Sequence, residues 1–355
     1  MALVAAAAQV TGVALLLFPE LGALASDVLR RPRGVWASAP VLLVLTPLAT
    51  GLVGVLLARQ LPFGVLSVGL DVACSIALIQ ILRSPIAPAI SAGLLPLVLG
   101  TTDPRYPLAI GAGTLTLAAV GAGWRRWRHP VGNVDRRDRI DDLMEQPAGR
   151  SAWWLPFALV LAVLAGLAQW SGIHVLLFPP LVVIAFEMFA HPHRCPWAIR
   201  AWRLPLACVL AASAGVLLVA TLGRGATTAA AAMLFGSAVL RRMDLHAPPV
   251  LAVGLLALVM ASPDARYPAG VLFGTLLFTG TFLGWRRITA RPAGAPQASK
   301  SESGTGVRGT HPAVSGGRDA HLPCRSQAME APNPPKDSSR VSAVRRRSGQ
   351  PGGAD

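Results

Sequence analysis

The chain has 355 residues, 53% apolar and 14% charged, with a mean hydropathy of +0.53 and a formal charge of +15. Segments such as 41–58 and 155–167 are apolar all round, which excludes a soluble helical bundle, whose helices would carry a polar stripe at a 3.6-residue period. The positive charge does not point to nucleic acid either, because the arginines sit at the ends of apolar stretches, where they face anionic lipid and set topology.

Those apolar stretches run to roughly 16 to 23 residues, close to the ~20 that cross the hydrocarbon core as helix. In chain order they predict helices over about 10–29, 37–59, 62–83, 85–101 and 106–124. The first 25 residues lack the basic n-region of a signal peptide and align with the internal segment near 166–180, so they read as a retained span. A basic cytoplasmic linker, 127–152, follows. The second half predicts helices over about 153–170, 172–190, 202–222, 225–241, 247–262 and 267–285. The remainder, 288–355, is rich in Gly, Pro, Ser and Arg and reads as a disordered cytoplasmic tail.

One unit has been used twice. Asp103 to Arg126 and Asp264 to Arg287 share 11 of 24 residues without a gap. The same offset of 161 pairs Trp36 with Trp197, Pro88 with Pro249 and Gly93 with Gly254. An offset of 160 takes over upstream and pairs Phe18-Pro19 with Phe178-Pro179. Repeats of this length set the architecture: five helices in repeat 1 (1–126), six in repeat 2 (153–287), the counterpart of 153–170 being lost or lying upstream of Met1. Placing the 127–152 loop in the cytoplasm puts sixteen arginines in inner loops and four in outer ones, as the positive-inside rule requires. The fold expected is an all-α polytopic transmembrane bundle of about eleven spans. Its N-terminus is outside and its C-terminus inside the cell's inner (plasma) membrane, and the two repeats are parallel.

Candidate sites follow from that frame. Asp71 lies in the middle of the 62–83 span, where an ionised carboxylate costs roughly 2.5 to 3.5 kcal/mol on insertion scales, so it faces protein or water. Its repeat counterpart is Ala232, which makes it a candidate for proton or cation coupling. Short, proline-opened segments at corresponding positions of two repeats are a pointer to a transporter's substrate site. Here they are Pro85 and Pro88 in the first repeat and His246, Pro248 and Pro249 in the second, the latter preceded by Arg241 and Arg242. A helix N-terminus beside this positive potential suits an anion.

Asp27 and Glu187 correspond across the repeat and are expected to pair with Arg30, Arg194 or Arg200. The two D-x-R-Y-P turns read as helix starts with an interfacial tyrosine anchor. His191, His193 and Cys195 form a string interrupted by Pro192 and Pro196, and structural zinc needs four ligands, so neither a metal nor a cofactor is expected. The cysteines imply no disulfide framework.

The run Leu245-His246-Ala247-Pro248-Pro249, then an apolar helix ending in Val259-Met260 and a second opened by Tyr267-Pro268, resembles the HPP family of integral membrane proteins. That family is named for a His-Pro-Pro motif at the start of a membrane helix. Leu177-Phe178-Pro179-Pro180 and the loop around Pro192 add to the likeness. This sequence departs from the motif, since Ala247 separates His246 from Pro248 and the first repeat has Pro85-Ile86-Ala87-Pro88 without a histidine. The resemblance implies a transporter, and plastid and cyanobacterial members suggest nitrite as solute.

No catalytic motif is present in the spans, so no enzyme activity is expected. The partners expected are the lipid bilayer and a small-molecule or ionic substrate, with homo-oligomerisation left open. The rival reading is a non-transporting scaffold or accessory subunit.

Overall fold

Prolines start many of the helices and glycines end several. In the computed structural model, which describes residues 1, 4–6, 18–128, 153–193 and 195–289, Pro19 and Pro88 cap α1 (Glu20–Arg30) and α5 (Ala89–Leu99). Prolines occupy the first turns of α3 (Pro40–Gln60), α8 (Pro179–Ala190), α9 (Leu204–Leu222) and α11 (Pro249–Leu256), where a missing N–H costs nothing. Gly100 and Gly172 end α5 and α7 (Trp154–Ser171) in the left-handed region, at φ 66° and 69°, a conformation open to glycine without steric cost. The remaining helices are the short α2 (Val35–Ser38), α4 (Val65–Ile81), α6 (Arg105–Arg128), α10 (Ala226–Arg242) and α12 (Arg266–Thr289). All regular structure among the described residues is helical. The chain separates into two units, Met1–Gly294 and Ala295–Asp355, and every described residue belongs to the first. All of the proposed tail but 288–289, which close α12, and all of the linker but 127–128 lie outside the described residues, as does much of the first expected span.

Among the described residues five helices are long and apolar enough to cross a membrane: α3, α6, α7, α9 with the turn before it, and α12. Only 33% to 44% of each is buried. The rest presents rows of apolar side chains such as Leu155, Leu159 and Val163 on α7 or Leu272, Phe273 and Leu276 on α12. A continuous apolar exterior on this scale is a surface for lipid, and the protein is a polytopic membrane-spanning helical bundle. Inside this ring lie short helices. Every residue of α8 and α11, and all but the last residue of α5, is buried. At 1.5 Å per residue, α5 and α8 span about 16 to 18 Å, half of a ~30 Å hydrocarbon core.

Two expected spans are therefore interrupted. The stretch 172–190 breaks into a 3₁₀ turn, His174–Leu177, and α8, because Phe178 is extended (ψ 132°) ahead of Pro179-Pro180. Residues before proline are pushed out of the helical region. The stretch 247–262 is α-helical only to Leu256, after which Leu258 N–H and Val259 N–H bond three residues back. Arg224 then donates to the Met260 and Ala261 carbonyls, both at 2.6 Å, closing that end.

The contacts recur at the spacing of the sequence repeat. Tyr106 donates to Ala92 O at 2.8 Å and Tyr267 to Val253 O at 2.5 Å. Arg125 reaches Ala37 O at 3.3 Å and Arg286 reaches Ala198 O at 3.4 Å. Arg83 and Asp244 both take φ 49°. A methyl group on Gly54 would lie 1.9 Å from Gly93 O, and one on Gly215 would lie 2.2 Å from Gly254 O. At each place two helix backbones touch, as small residues permit in membranes. Within each half the long helix (α3, α9) packs on the short one (α5, α11); between halves α8 packs on α5 and α1 on α11.

Candidate functional site

The proline loops are fastened joints. In the first, Trp36 Nε1 donates to Pro85 O at 3.0 Å, Thr46 Oγ1 donates to Ser84 Oγ at 2.7 Å, and Pro88 is buried as the cap of α5. In the second, Arg203 donates to Met243 O at 2.8 Å, and Arg200 pairs with the Asp244 carboxylate while reaching its carbonyl at 3.1 Å. Pro249 is buried and Pro248 half-buried, while His246, Arg241 and Arg242 are exposed on the rim. Asp71 stands elsewhere. It lies ten residues before the end of α4, about 15 Å of helix from the loop, with a relative exposure of 0%. The residues expected to form one site thus divide into an exposed rim and a buried interior.

The interior is built around α5. Asp71 and Ser75, one helical turn apart on α4, converge on Gly93, where a methyl would lie 2.7 Å from Ser75 Oγ and 2.8 and 3.0 Å from the two Asp71 oxygens. Glycine at 93 is what lets a carboxylate press against the backbone of α5. On another face, Ser91 meets the carboxyl of Glu20, the first residue of α1. Glu20, Asp71, Ser75 and Ser91 are between 0% and 1% exposed; the Asp71 carboxyl and the Ser75 hydroxyl have no hydrogen-bond partner, while Glu20 is approached by Ser91 and by its own backbone without full hydrogen-bond geometry. Buried polar groups without partners are rare, and each calls for an explanation such as a bound ion, water or a chemical role. Both carboxyls lie within electrostatic reach of Tyr106, and Glu20 also of Tyr267.

The tyrosines of the D-x-R-Y-P turns are not interfacial anchors. They are 2% and 1% exposed, and each donates its hydroxyl into the middle of a short helix. For Tyr106 the reason is visible in the sequence: Pro96 has no N–H to offer Ala92 O four residues back, and the phenol supplies the missing donor. The expected charge pairing also shifts by one residue, since Asp27 is bridged by Arg31 at 2.5 Å rather than by Arg30.

The repeat makes the interior's asymmetry plain. Glu20, Thr46, Thr50, Asp71, Ser75, Ser84 and Ser91 are all buried. Their counterparts are Pro180, Ala207, Ala211, Ala232, Gly236, Leu245 and Ala252. At these seven positions the first half is polar and the second is not, although Asp27, Ser67 and Thr114 keep polar counterparts in the buried Glu187, Thr228 and Thr275; the second half also packs Phe157, Phe186, Phe189, Phe278 and Phe282 edge to face. A small cavity among α7, α8 and α12, bounded by Phe157, Leu161 and Phe278 among others, is wholly apolar. Sequence reasoning found Asp71 but missed Glu20, Ser75 and Ser91. Glu20 stood inside an expected span opposite a proline of the other copy, the same signal that singled out Asp71.

Among the described residues no three His, Cys, Asp or Glu side chains group as metal ligands. No family model, curated protein or solved structure matches the chain.

Proposed function

We propose that this protein is a carrier that moves a small solute across the membrane, with its working centre on α5. The observation that carries this reading is the pair of fully buried carboxyls without a cationic partner, Asp71 beside Ser75 and Glu20 beside Ser91, around one half-length helix. Intramembrane ionisable residues are expensive and mark solute or proton pathways, and discontinuous helices supply the binding sites of many carriers. His246, Arg241, Arg242, Pro248 and Pro249 then form one mouth of the path, Pro85 and Pro88 the joint at which α5 begins, and Asp71 the coupling residue. The contacts recurring at 161 residues support an arrangement of two parallel repeats, and the arginine distribution supports eleven spans with the C-terminus inside.

The likeness to the HPP family makes nitrite the first anion to try. The test is uptake by proteoliposomes of a solute panel that includes nitrite, with and without a pH gradient. The expected outcome is uptake of at least one solute, reduced about tenfold or more by Asp71→Asn, equivalent to about 1.4 kcal/mol of barrier. A second reading, a scaffold whose halves only pack, is favoured by the apolar cavity and the glycine-to-backbone contacts. It predicts no uptake across the panel.

A further inference from the structure

Ser91, which meets Glu20, and Gly93, which meets Asp71, are two residues apart on α5, and so about 200° apart around its axis. The two carboxyls therefore flank the helix on nearly opposite faces. They cannot close together on one metal ion, and Asp71 with Ser75 brings only three side-chain oxygens to its own side. What a lone buried carboxyl can exchange without a coordination shell is a proton.

The surroundings agree. The elements packed on α4 are α3, α5 and α7. Of these only α3 holds a titratable side chain, Arg59, which is bound to Thr102 O at 3.0 Å. On α4 itself the other titratable group is Cys74, which is exposed. Around Glu20, α6 offers Tyr106 and α12 offers Tyr267, while α11 and α2 hold none. The phenol of Tyr106 donates to Ala92 O and that of Tyr267 to Val253 O. On α1 itself Asp27 is bridged to Arg31, and Arg30 is exposed at the far end. Met1, whose side chain approaches Gly22, brings the amino terminus to this side. No cationic side chain among the described residues pairs with either carboxyl. Glu20 lies about 15 Å along α1 from the exposed Arg30 at its other end.

We propose that Glu20 and Asp71 are two proton-exchanging stations, one on each face of α5, and that their protonation is coupled to solute passage. This rests on the carrier reading above and names its coupling ion. The mechanism places one proton on each of the two carboxyl groups in one state of the cycle and releases it to water in another, leaving carboxylates, with Ser91 and Ser75 as the adjacent hydroxyls.

Dicyclohexylcarbodiimide, an apolar reagent that adds to protonated carboxyls, tests this on the full-length chain in detergent without knowledge of the solute. Peptide mass spectrometry should find adducts on Glu20 and Asp71. Labelling should fall about tenfold for each pH unit above the titration midpoint and be unchanged by Na⁺ at constant pH. Glu20→Gln and Asp71→Asn should each remove one adduct and keep the other. Absence of both adducts from monodisperse wild-type protein, or protection by Na⁺ at constant pH, would overturn the proposal. Labelling as expected with no uptake of any solute would instead refute the carrier reading. Uptake that is indifferent to Glu20→Gln and to pH would refute the proton stations and leave the carrier standing.

Discussion

Replacing glycine by alanine at two places in this bundle should have opposite effects. A Cβ on Gly54 of α3 would lie 1.9 Å from Gly93 O, 2.7 Å from Gly93 C and 3.0 Å from Gly93 Cα. All three are backbone atoms of α5, so no side-chain rotation relieves the clash. Restoring an ordinary contact of roughly 3.2 Å requires α3 and α5 to separate by about 1.3 Å, and overpacking of a tight contact typically costs ~1–3 kcal/mol. The separation also stretches the 2.7 Å bond from Thr50 Oγ1 to Ala89 O, worth about 1 kcal/mol. Against this, helix propensity returns about 0.5–1 kcal/mol, leaving Gly54→Ala destabilised by about 1–3.5 kcal/mol. A Cβ on Gly69 of α4 meets nothing within 4 Å, so Gly69→Ala keeps only the propensity gain of about 0.5–1 kcal/mol. Thermal unfolding of the purified full chain in detergent separates the two. At about 2–4 °C per kcal/mol for domains of this order of size, Gly54→Ala should lower the midpoint by roughly 2–14 °C and Gly69→Ala should raise it slightly. Equal midpoints for the two variants would show that the α3–α5 backbone contact does not exist.

Tyr106→Phe removes the donor for a carbonyl that Pro96 leaves unsatisfied and should destabilise by about 1–3 kcal/mol, with Tyr267→Phe acting in the same direction through Val253 O; unchanged unfolding midpoints would contradict these bonds. Arg83 holds φ 49°, so Arg83→Gly should stabilise by about 1 kcal/mol, whereas Asp244→Gly gains the same relief and loses the ion pair with Arg200, giving little net change in the same melting assay. His246 is exposed, so His246→Ala should leave the midpoint within about 0.5 kcal/mol of wild type while lowering uptake of the transported solute; normal uptake would remove His246 from the path.

Much of the frame was legible because bilayer physics is one-dimensional. Run length, the arginines at the ends and the 161-residue offset located the long helices to within a few residues. Asp71 was legible for the same reason, as a charge where the solvent forbids one without compensation. The break at Phe178 was also within reach, since Pro179-Pro180 cannot continue a helix from the preceding residue. The role of Tyr106 was harder, because it depends on a proline ten residues earlier meeting a phenol across two helices.

What the sequence determined by itself is the solvent, the duplication and the charge at Asp71 within a span, because hydropathy and repeat offset are properties of position along the chain. Only the tertiary structure decided which face of each helix is buried. Helical side chains turn by about 100° per residue, so neighbours in sequence point to different partners. Ser91 therefore meets Glu20 while Gly93 meets Asp71. The joining of two carboxyls 51 positions apart in the chain around one short helix belongs to the packing alone.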